Sequence, residues 1–320
     1  MRSCKIGILE PDGFSVEGLA KLNQLGQVDL FCGQISQLAD FLSDKDVLFI
    51  RLAYRIDAGF LQQAPCLKVL CTPNTGLTHL AEPDLQARGI TVLSLQGEQE
   101  FLQQIRATPE HALGLALSLL RNYRVAFRSA DRPEWDRDRY RGHEICGRTI
   151  GLIGFGRVGR LLAKYFSALD ARVVFYDPDP AIAQQYGAER MGSIEELIAV
   201  SEMVMLCASF HEANRGMIDR RKIDLMQGKF FINIARGELI DEAHLIDKIN
   251  EGFFAGVALD VIERENQPGN RLPLLLPLTS EHNFILTPHI AGATFESMTK
   301  TEVFVADKLA RFFDENGRAL

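Results

Sequence analysis

The stretch 149–177 constrains the fold of this chain more than any other. It reads as an apolar strand at 150–153, then Gly154-x-Gly156-x-x-Gly159, a helix-length segment to Leu169, and a β-branched and aromatic strand at 173–176 closed by Asp177. Gly154 permits a tight strand-to-helix turn, Gly156 lets backbone approach a pyrophosphate, and Gly159 lets the helix lie close to the sheet. The helix N-terminus then presents free N–H groups and a positive dipole end to that phosphate. An acidic residue at the tip of the second strand accepts hydrogen bonds from ribose hydroxyls and repels a 2′-phosphate, so Asp177 points to NAD over NADP. A chain with 26 glycines produces chance matches to the glycine spacing. Here the strand before it and the helix and acidic strand end after it supply the required context.

A length of 320 residues suggests about two domains, each able to bury a core of its own. The 47% hydrophobic and 24% charged composition is that of a soluble globular protein. A net charge of −7 argues against a general nucleic-acid or acidic-membrane surface. The local cluster Arg137, Arg139 and Arg141 alternates with Asp136 and Asp138 and reads as a solvated loop. The six cysteines form no C-x-x-C pair and mostly sit in apolar runs, as expected of buried free thiols in a reducing compartment. Glu10, Pro11 and Asp12 interrupt any signal-peptide core, and no run approaches the length of a membrane helix, so a cytoplasmic protein is expected.

Residues 5–95 alternate short apolar runs (6–9, 28–31, 47–50, 67–71, 91–95) with helical periods, the pattern of a parallel sheet covered by helices. No glycine fingerprint follows the first run, where Glu10-Pro11-Asp12-Gly13 stands, so this domain holds something other than the dinucleotide. From 97 to 124 the pattern becomes helical, with Thr108 expected as an N-cap before Pro109 and an all-round apolar run at 112–120. Residues 121–148 read as a polar loop containing the single Trp135, which could anchor a dimer or pack on its own subunit. A second α/β domain starts at Thr149 and continues with strands at 203–207, 230–234, 254–259 and 284–286, and a Ser193-x-x-Glu196 capping box opens one helix. A last amphipathic helix carrying Val305, Leu309, Phe312 and Phe313 should pack back on one of the two domains.

Three polar stretches follow strands of the second domain, where open α/β sheets place their ligands: Asn233-Ile234-Ala235-Arg236-Gly237, Asp260-Val261-Ile262-Glu263-Arg264-Glu265, and Thr287-Pro288-His289-Ile290-Ala291-Gly292. Together they offer a guanidinium to clamp a carboxylate and polarise the carbonyl beside it, an imidazole to pass a proton, and a carboxylate to hold that imidazole charged. Each residue has a plainer reading. A lone histidine after a strand is more often a surface or satisfied core residue, Arg236 alone fits a helix cap or surface ion pair, and Glu265 sits in a charged loop. The functional reading rests on all three following strand ends of one domain.

These motifs resemble the D-isomer-specific 2-hydroxyacid dehydrogenase family, nearly end to end. The resemblance implies an α/β fold of two doubly wound parallel-sheet domains: a Rossmann NAD domain at 100–290, and a flavodoxin-like substrate domain made of 1–99 and 291–320. It implies Arg236 as the substrate-binding, electrophilic arginine, His289 as acid/base and Glu265 as its partner, with no metal. Asp260 would hold the nicotinamide carboxamide. Thr108, Gly154, Phe155, Gly156, Arg157, Val158, Gly159, Asp177, Cys207, Ala208, Ile234, Ala235, Arg236, His289 and Gly292 would line the cofactor. The segment 71–79 matches the family's substrate loop, so Asn74, Thr75 and Gly76, with Arg236 and His289, would meet the substrate. Asn74 stands where glycine is common and Thr72 where phosphoglycerate enzymes often carry an arginine, with Arg51 and Arg55 as alternative cations for a phosphate. Both 3-phosphoglycerate and glyoxylate or hydroxypyruvate therefore stay open as substrates. A homodimer through about residues 97–148 is implied, and NAD(H)-sensing corepressor relatives supply the alternative role of a binding protein.

Overall fold

The computed structural model describes residues 4–129, 135 and 137–316, and the chain divides into two compact units. Unit 1 comprises residues up to Gln104 together with Ala293 onward, and unit 2 runs from Ile105 to Gly292. These divisions fall five and two residues beyond the expected ones at 99/100 and 290/291. Residues 130–134 of the expected dimer stretch and Asp136 of the expected charged loop lie outside the described residues.

Unit 1 holds a five-stranded sheet of β1 (Lys5–Ile8), β2 (Gln27–Leu30), β3 (Val47–Phe49), β4 (Val69–Cys71) and β5 (Thr91–Leu93). All pairs are parallel and the order is β2-β1-β3-β4-β5, the flavodoxin-like winding. The central strands β3 and β4 are apolar and buried throughout because both faces are covered, whereas the edge strand β2 carries Gln27 and Asp29. Leu48 and Leu70 face one core, while Ile6, Ile8, Val47, Phe49, Val69 and Cys71 face the other. The second core is completed by the helix Phe295–Asn316, which buries Val305, Leu309 and Phe313 and packs on the helix Val16–Leu25. Each such side chain contributes roughly 1.5–3 kcal/mol by leaving water.

Unit 2 holds seven parallel strands: β6 (Thr149–Ile153), β7 (Arg172–Tyr176), β8 (Glu189–Arg190), β9 (Met203–Leu206), β10 (Phe230–Asn233), β11 (Gly256–Leu259) and β12 (Phe284–Leu286). Their order is β12-β11-β10-β9-β6-β7-β8, so the winding reverses between β6 and β9 and opens a crevice at their carboxyl ends. Strand alternation divides the residues cleanly between faces. Met203 and Met205 enter one core, Val204 and Leu206 the other.

Five of the expected strands end one residue past the observed ones. The extra residue still bonds across the sheet, as Leu9 N does to the Phe49 carbonyl and Cys207 N to the Ile153 carbonyl, both near 3 Å. Other expectations are corrected. Thr108 does not cap its helix, which starts at Ala107 after Arg106; Pro109 is tolerated because first-turn N–H groups lack partners anyway. Residues Tyr123–Ser129 of the expected loop are helical. Ser193 caps its helix by accepting from Glu196 N at 3.1 Å, but Glu196 reaches back to Gly192 N rather than to the cap itself. Cys32 and Cys146 are exposed, not buried, and Trp135 is 97% exposed, so it does not pack on its own subunit.

Candidate active site

The glycine loop after β6 is built as its spacing requires. Gly154 has φ +98°, and a Cβ there would stand 2.7 Å from the Ala208 backbone, so only glycine fits. Gly159 lies against the Gly154 carbonyl oxygen, which draws the helix Arg157–Ser167 onto the loop. That helix has Gly156 as its N-cap, with no side-chain cap and open space around it. Uncapped amides at a glycine N-cap are what a pyrophosphate would occupy, so the loop fits the dinucleotide. Cys207 Sγ donates to the Gly154 carbonyl at 3.0 Å, and burial, with the Asp177 charge adding, pushes this thiol up to about 12. It serves as a neutral strut under the loop. The Phe155 ring is fully buried and stacked on Phe175 at 3.8 Å, so it supports the loop from the core. Arg157 reaches the Ile105 carbonyl at 2.9 Å; burial, and then Arg106, lowers its pKa. Val158 is half-buried in the first turn.

Asp177 closes β7, accepting from Phe155 N at 2.8 Å and Asp179 N at 3.0 Å. It borders a cleft of about 330 Å³ shared with Tyr176, Pro178, Arg190, Met191 and Gly192, of the size small ligands use. Sequence reading missed Arg190, because β8 is only two residues long and carries no periodicity. Its guanidinium donates to the carbonyls of Asp177, Asp179 and Ile182 at 2.6–3.0 Å and builds the cleft wall.

At the ends of β10, β11 and β12 the structure brings together the groups expected to carry chemistry. Asn233 is fully buried; its amide donates to the Arg236 carbonyl and accepts from Ala235 N, both at 2.9 Å, folding residues 233–236 into a turn that includes Ile234 and Ala235. Gly237 touches the Ile262–Glu263 backbone, leaving no room for a Cβ. Arg236 itself donates to the Ala235 carbonyl at 2.7 Å. Burial lowers its pKa, opposed by the charges of Glu265, Glu238 and Asp260. His289 adopts φ +54°, with its N–H shared between the carbonyls of Asp260 at 2.8 Å and Thr287 at 3.0 Å. Its Nδ1 lies 2.6 Å from Glu265 Oε2, while Glu265 Oε1 accepts from Ile262 N at 3.2 Å. With Nδ1 engaged, Nε2 is the nitrogen that remains for a substrate.

Asp260 is a hub. Oδ1 accepts from Thr287 Oγ1 at 2.6 Å and Ile290 N at 3.0 Å, and Oδ2 from Ala291 N at 2.9 Å. His111 Nε2 stands 3.3 Å from Oδ1 and from Thr287 Oγ1. Burial raises the Asp260 pKa, but the bonds from His111, Thr287 and Ala291 outweigh it and hold the carboxyl below its usual value. The carboxylate thus organises the His289 loop from Thr287 to Ala291. His111 was missed because its one-in-a-helix placement looks like any amphipathic polar residue.

In unit 1, Asn74 Nδ2 donates to the Arg51 carbonyl at 3.1 Å and to Thr72 Oγ1 at 2.8 Å, shaping the loop that carries Thr75 and Gly76. Arg51 turns its guanidinium to the Asp12 carbonyl at 3.1 Å.

Residues 113–291 match the model of the "D-isomer specific 2-hydroxyacid dehydrogenase, NAD binding domain". The chain belongs to this family. The matched stretch lies within unit 2, which is therefore the family's NAD-binding domain. The D-3-phosphoglycerate dehydrogenase of Methanocaldococcus jannaschii is 30% identical over 310 residues, covering 96% of this chain and 57% of that protein. The glyoxylate reductase of Thermofilum pendens is 32% identical over 279 residues, covering 84% of this chain and 78% of that protein. The chain spans about half the length of the phosphoglycerate dehydrogenases it matches. A D-lactate dehydrogenase structure from Aquifex aeolicus, complexed with NAD and lactic acid, shares the fold with a TM-score of 0.83 at 22% identity, covering 97% of this chain and 96% of that one. No helix among the described residues is long and apolar enough to cross a membrane.

Proposed function

We propose that this dehydrogenase interconverts a small D-2-hydroxy acid and its 2-keto acid with NAD(H), unit 1 acting as the substrate domain. The observation that carries the reading is the 2.6 Å contact of His289 Nδ1 with Glu265 Oε2, made in the same unit as the half-buried Arg236. When bound, the nicotinamide supplies or accepts the hydride. Arg236 clamps the substrate carboxylate and draws electron density from the neighbouring carbonyl. His289 Nε2 gives its proton to the carbonyl oxygen in reduction and takes it back in oxidation, and Glu265 stabilises the imidazolium in between. Unit 1 contributes the backbone amides of Thr75 and Gly76 to substrate binding.

A homodimer through about residues 97–148 is part of this proposal. Phe127 and Trp135 are 67% and 97% exposed in that stretch, and large exposed aromatics mark association surfaces. Light scattering that gives a monomer mass would remove it. The catalytic reading is tested by NADH oxidation with a panel of 2-keto acids, including glyoxylate, hydroxypyruvate and pyruvate. Turnover that disappears in His289→Ala supports it. Tight NADH binding without turnover of any 2-keto acid would favour the NAD(H)-sensing role instead.

A further inference from the structure

Unit 1 contains an anion site that the chain fills itself. Immediately after β3, the backbone N–H groups of Arg51, Leu52 and Ala53 all point at one carboxylate, that of Glu10 in the turn after β1. Leu52 N and Ala53 N donate to Oε1 at 3.1 and 3.0 Å, and Arg51 N to Oε2 at 2.5 Å. Three successive amides converging on one group form a concavity suited to anions. It adjoins the Asn74–Gly76 loop directly, because Asn74 Nδ2 donates to the carbonyl of Arg51, the first residue of the concavity.

The Arg51 cation of this rim is engaged as well. The Arg51 guanidinium donates twice to the Asp12 carbonyl and stands 3.4 Å from Glu302 Oε1, on a fully buried side chain. Arg55 Nε lies 4.0 Å from Asp57. Thr72 is fully buried and accepts from Asn74. A phosphate or second carboxylate arriving here would find the amide donors occupied and an internal negative charge in their place. Selection by a repulsive element of this kind acts against the wrong ligand without needing contacts to the right one.

We propose that Glu10 is a specificity-determining residue: by filling the Arg51–Ala53 amides beside the Asn74–Gly76 loop, it restricts the substrate to 2-keto acids whose distal end carries no anion. The proposal rests on the reading of unit 1 as the substrate domain.

The test uses hydroxypyruvate and phosphohydroxypyruvate, which differ only by a phosphate, with NADH and the full chain. The parent should favour hydroxypyruvate by about a hundredfold or more in kcat/KM, and Glu10→Gln and Glu10→Ala should narrow that ratio by about tenfold or more, chiefly through KM for the phosphorylated compound. Glutamine keeps an acceptor for the amides, which guards against a variant that fails to fold. A second arm needs no turnover. With NADH saturating, so that the cofactor's phosphate sites are filled, inorganic phosphate at constant ionic strength should raise the Tm of Glu10→Ala and leave the parent unmoved. A parent ratio within tenfold, an unchanged ratio in both folded variants, or equal stabilisation of parent and variant by phosphate overturns the proposal. A parent that reduces no 2-keto acid overturns the functional reading instead, and the phosphate arm still decides the role of Glu10.

Discussion

Asp260 Oδ1 accepts the Thr287 hydroxyl at 2.6 Å and so ties the end of β11 to the loop after β12. Because Ile290 N, Ala291 N and His111 use the same carboxylate, its removal strands several donors at once. Asp260→Ala should cost about 2–4 kcal/mol of stability and lower kcat through the loosened His289 loop. The sign of the pH effect follows from the lowered folded pKa. The stabilisation is present above the unfolded value near 3.8 and is lost as pH falls through the folded value below it. Asp260→Asn should therefore show a shallower fall of Tm with acid than the parent, read by thermal unfolding between pH 2 and 5.

His289→Ala should reduce kcat in both directions on the order of a hundredfold or more, with NADH affinity little changed. Glu265→Gln, which keeps the shape but removes the charge 2.6 Å from Nδ1, should cost about tenfold or more in kcat. Steady-state kinetics together with NADH fluorescence titration check both. A Glu265→Gln enzyme with parental kcat would take Glu265 out of the mechanism.

The Asp177 carboxylate borders the 330 Å³ cleft, where a 2′-phosphate would meet a like charge. The enzyme should prefer NADH over NADPH by at least about tenfold, and Asp177→Ala should narrow the gap. Equal kcat/KM for the two in the parent would count against Asp177 as the discriminating group.

Glu302 is fully buried, and burial pushes its pKa up, against the hydrogen bonds of Ser15 and the charge of Arg51. The native state therefore holds this proton more tightly than the unfolded chain. The associated stability is present below the usual value of about 4.5 and lost as pH rises through the raised folded value. Glu302→Gln should make the change in Tm from pH 4.5 to pH 7 less unfavourable than in the parent, a comparison made by calorimetry.

Much of this architecture is legible in the sequence because parallel strands buried on both faces are continuous apolar runs, and because Gly154, Gly156 and Gly159 occur at a spacing few other backbones need. The strand-end rule brought the stretches carrying Glu265 and His289 to the same end of one sheet, and the family resemblance then singled the two out as partners. What escaped the sequence was tertiary polar bonding. Nothing local in Glu10 announces three amides contributed by residues more than forty positions away, and nothing in His111 announces its approach to Asp260. Phe155 sits in the glycine loop by position, yet its ring belongs to the core, since sequence position does not fix side-chain direction at a turn.

The helix Phe295–Asn316 closes the second core of unit 1 against Ile6, Ile8 and Phe49, on the far side of unit 2 along the chain. Synthesis on the ribosome is vectorial, so the first hundred residues emerge long before the helix that seals them. Unit 2, contiguous from Ile105 to Gly292, can close as soon as it is out, whereas the earlier-made unit waits with an apolar face open. Birth order and folding order are thereby inverted, and the nascent sheet of β1–β5 keeps an apolar face open until the helix Phe295–Asn316 has been made.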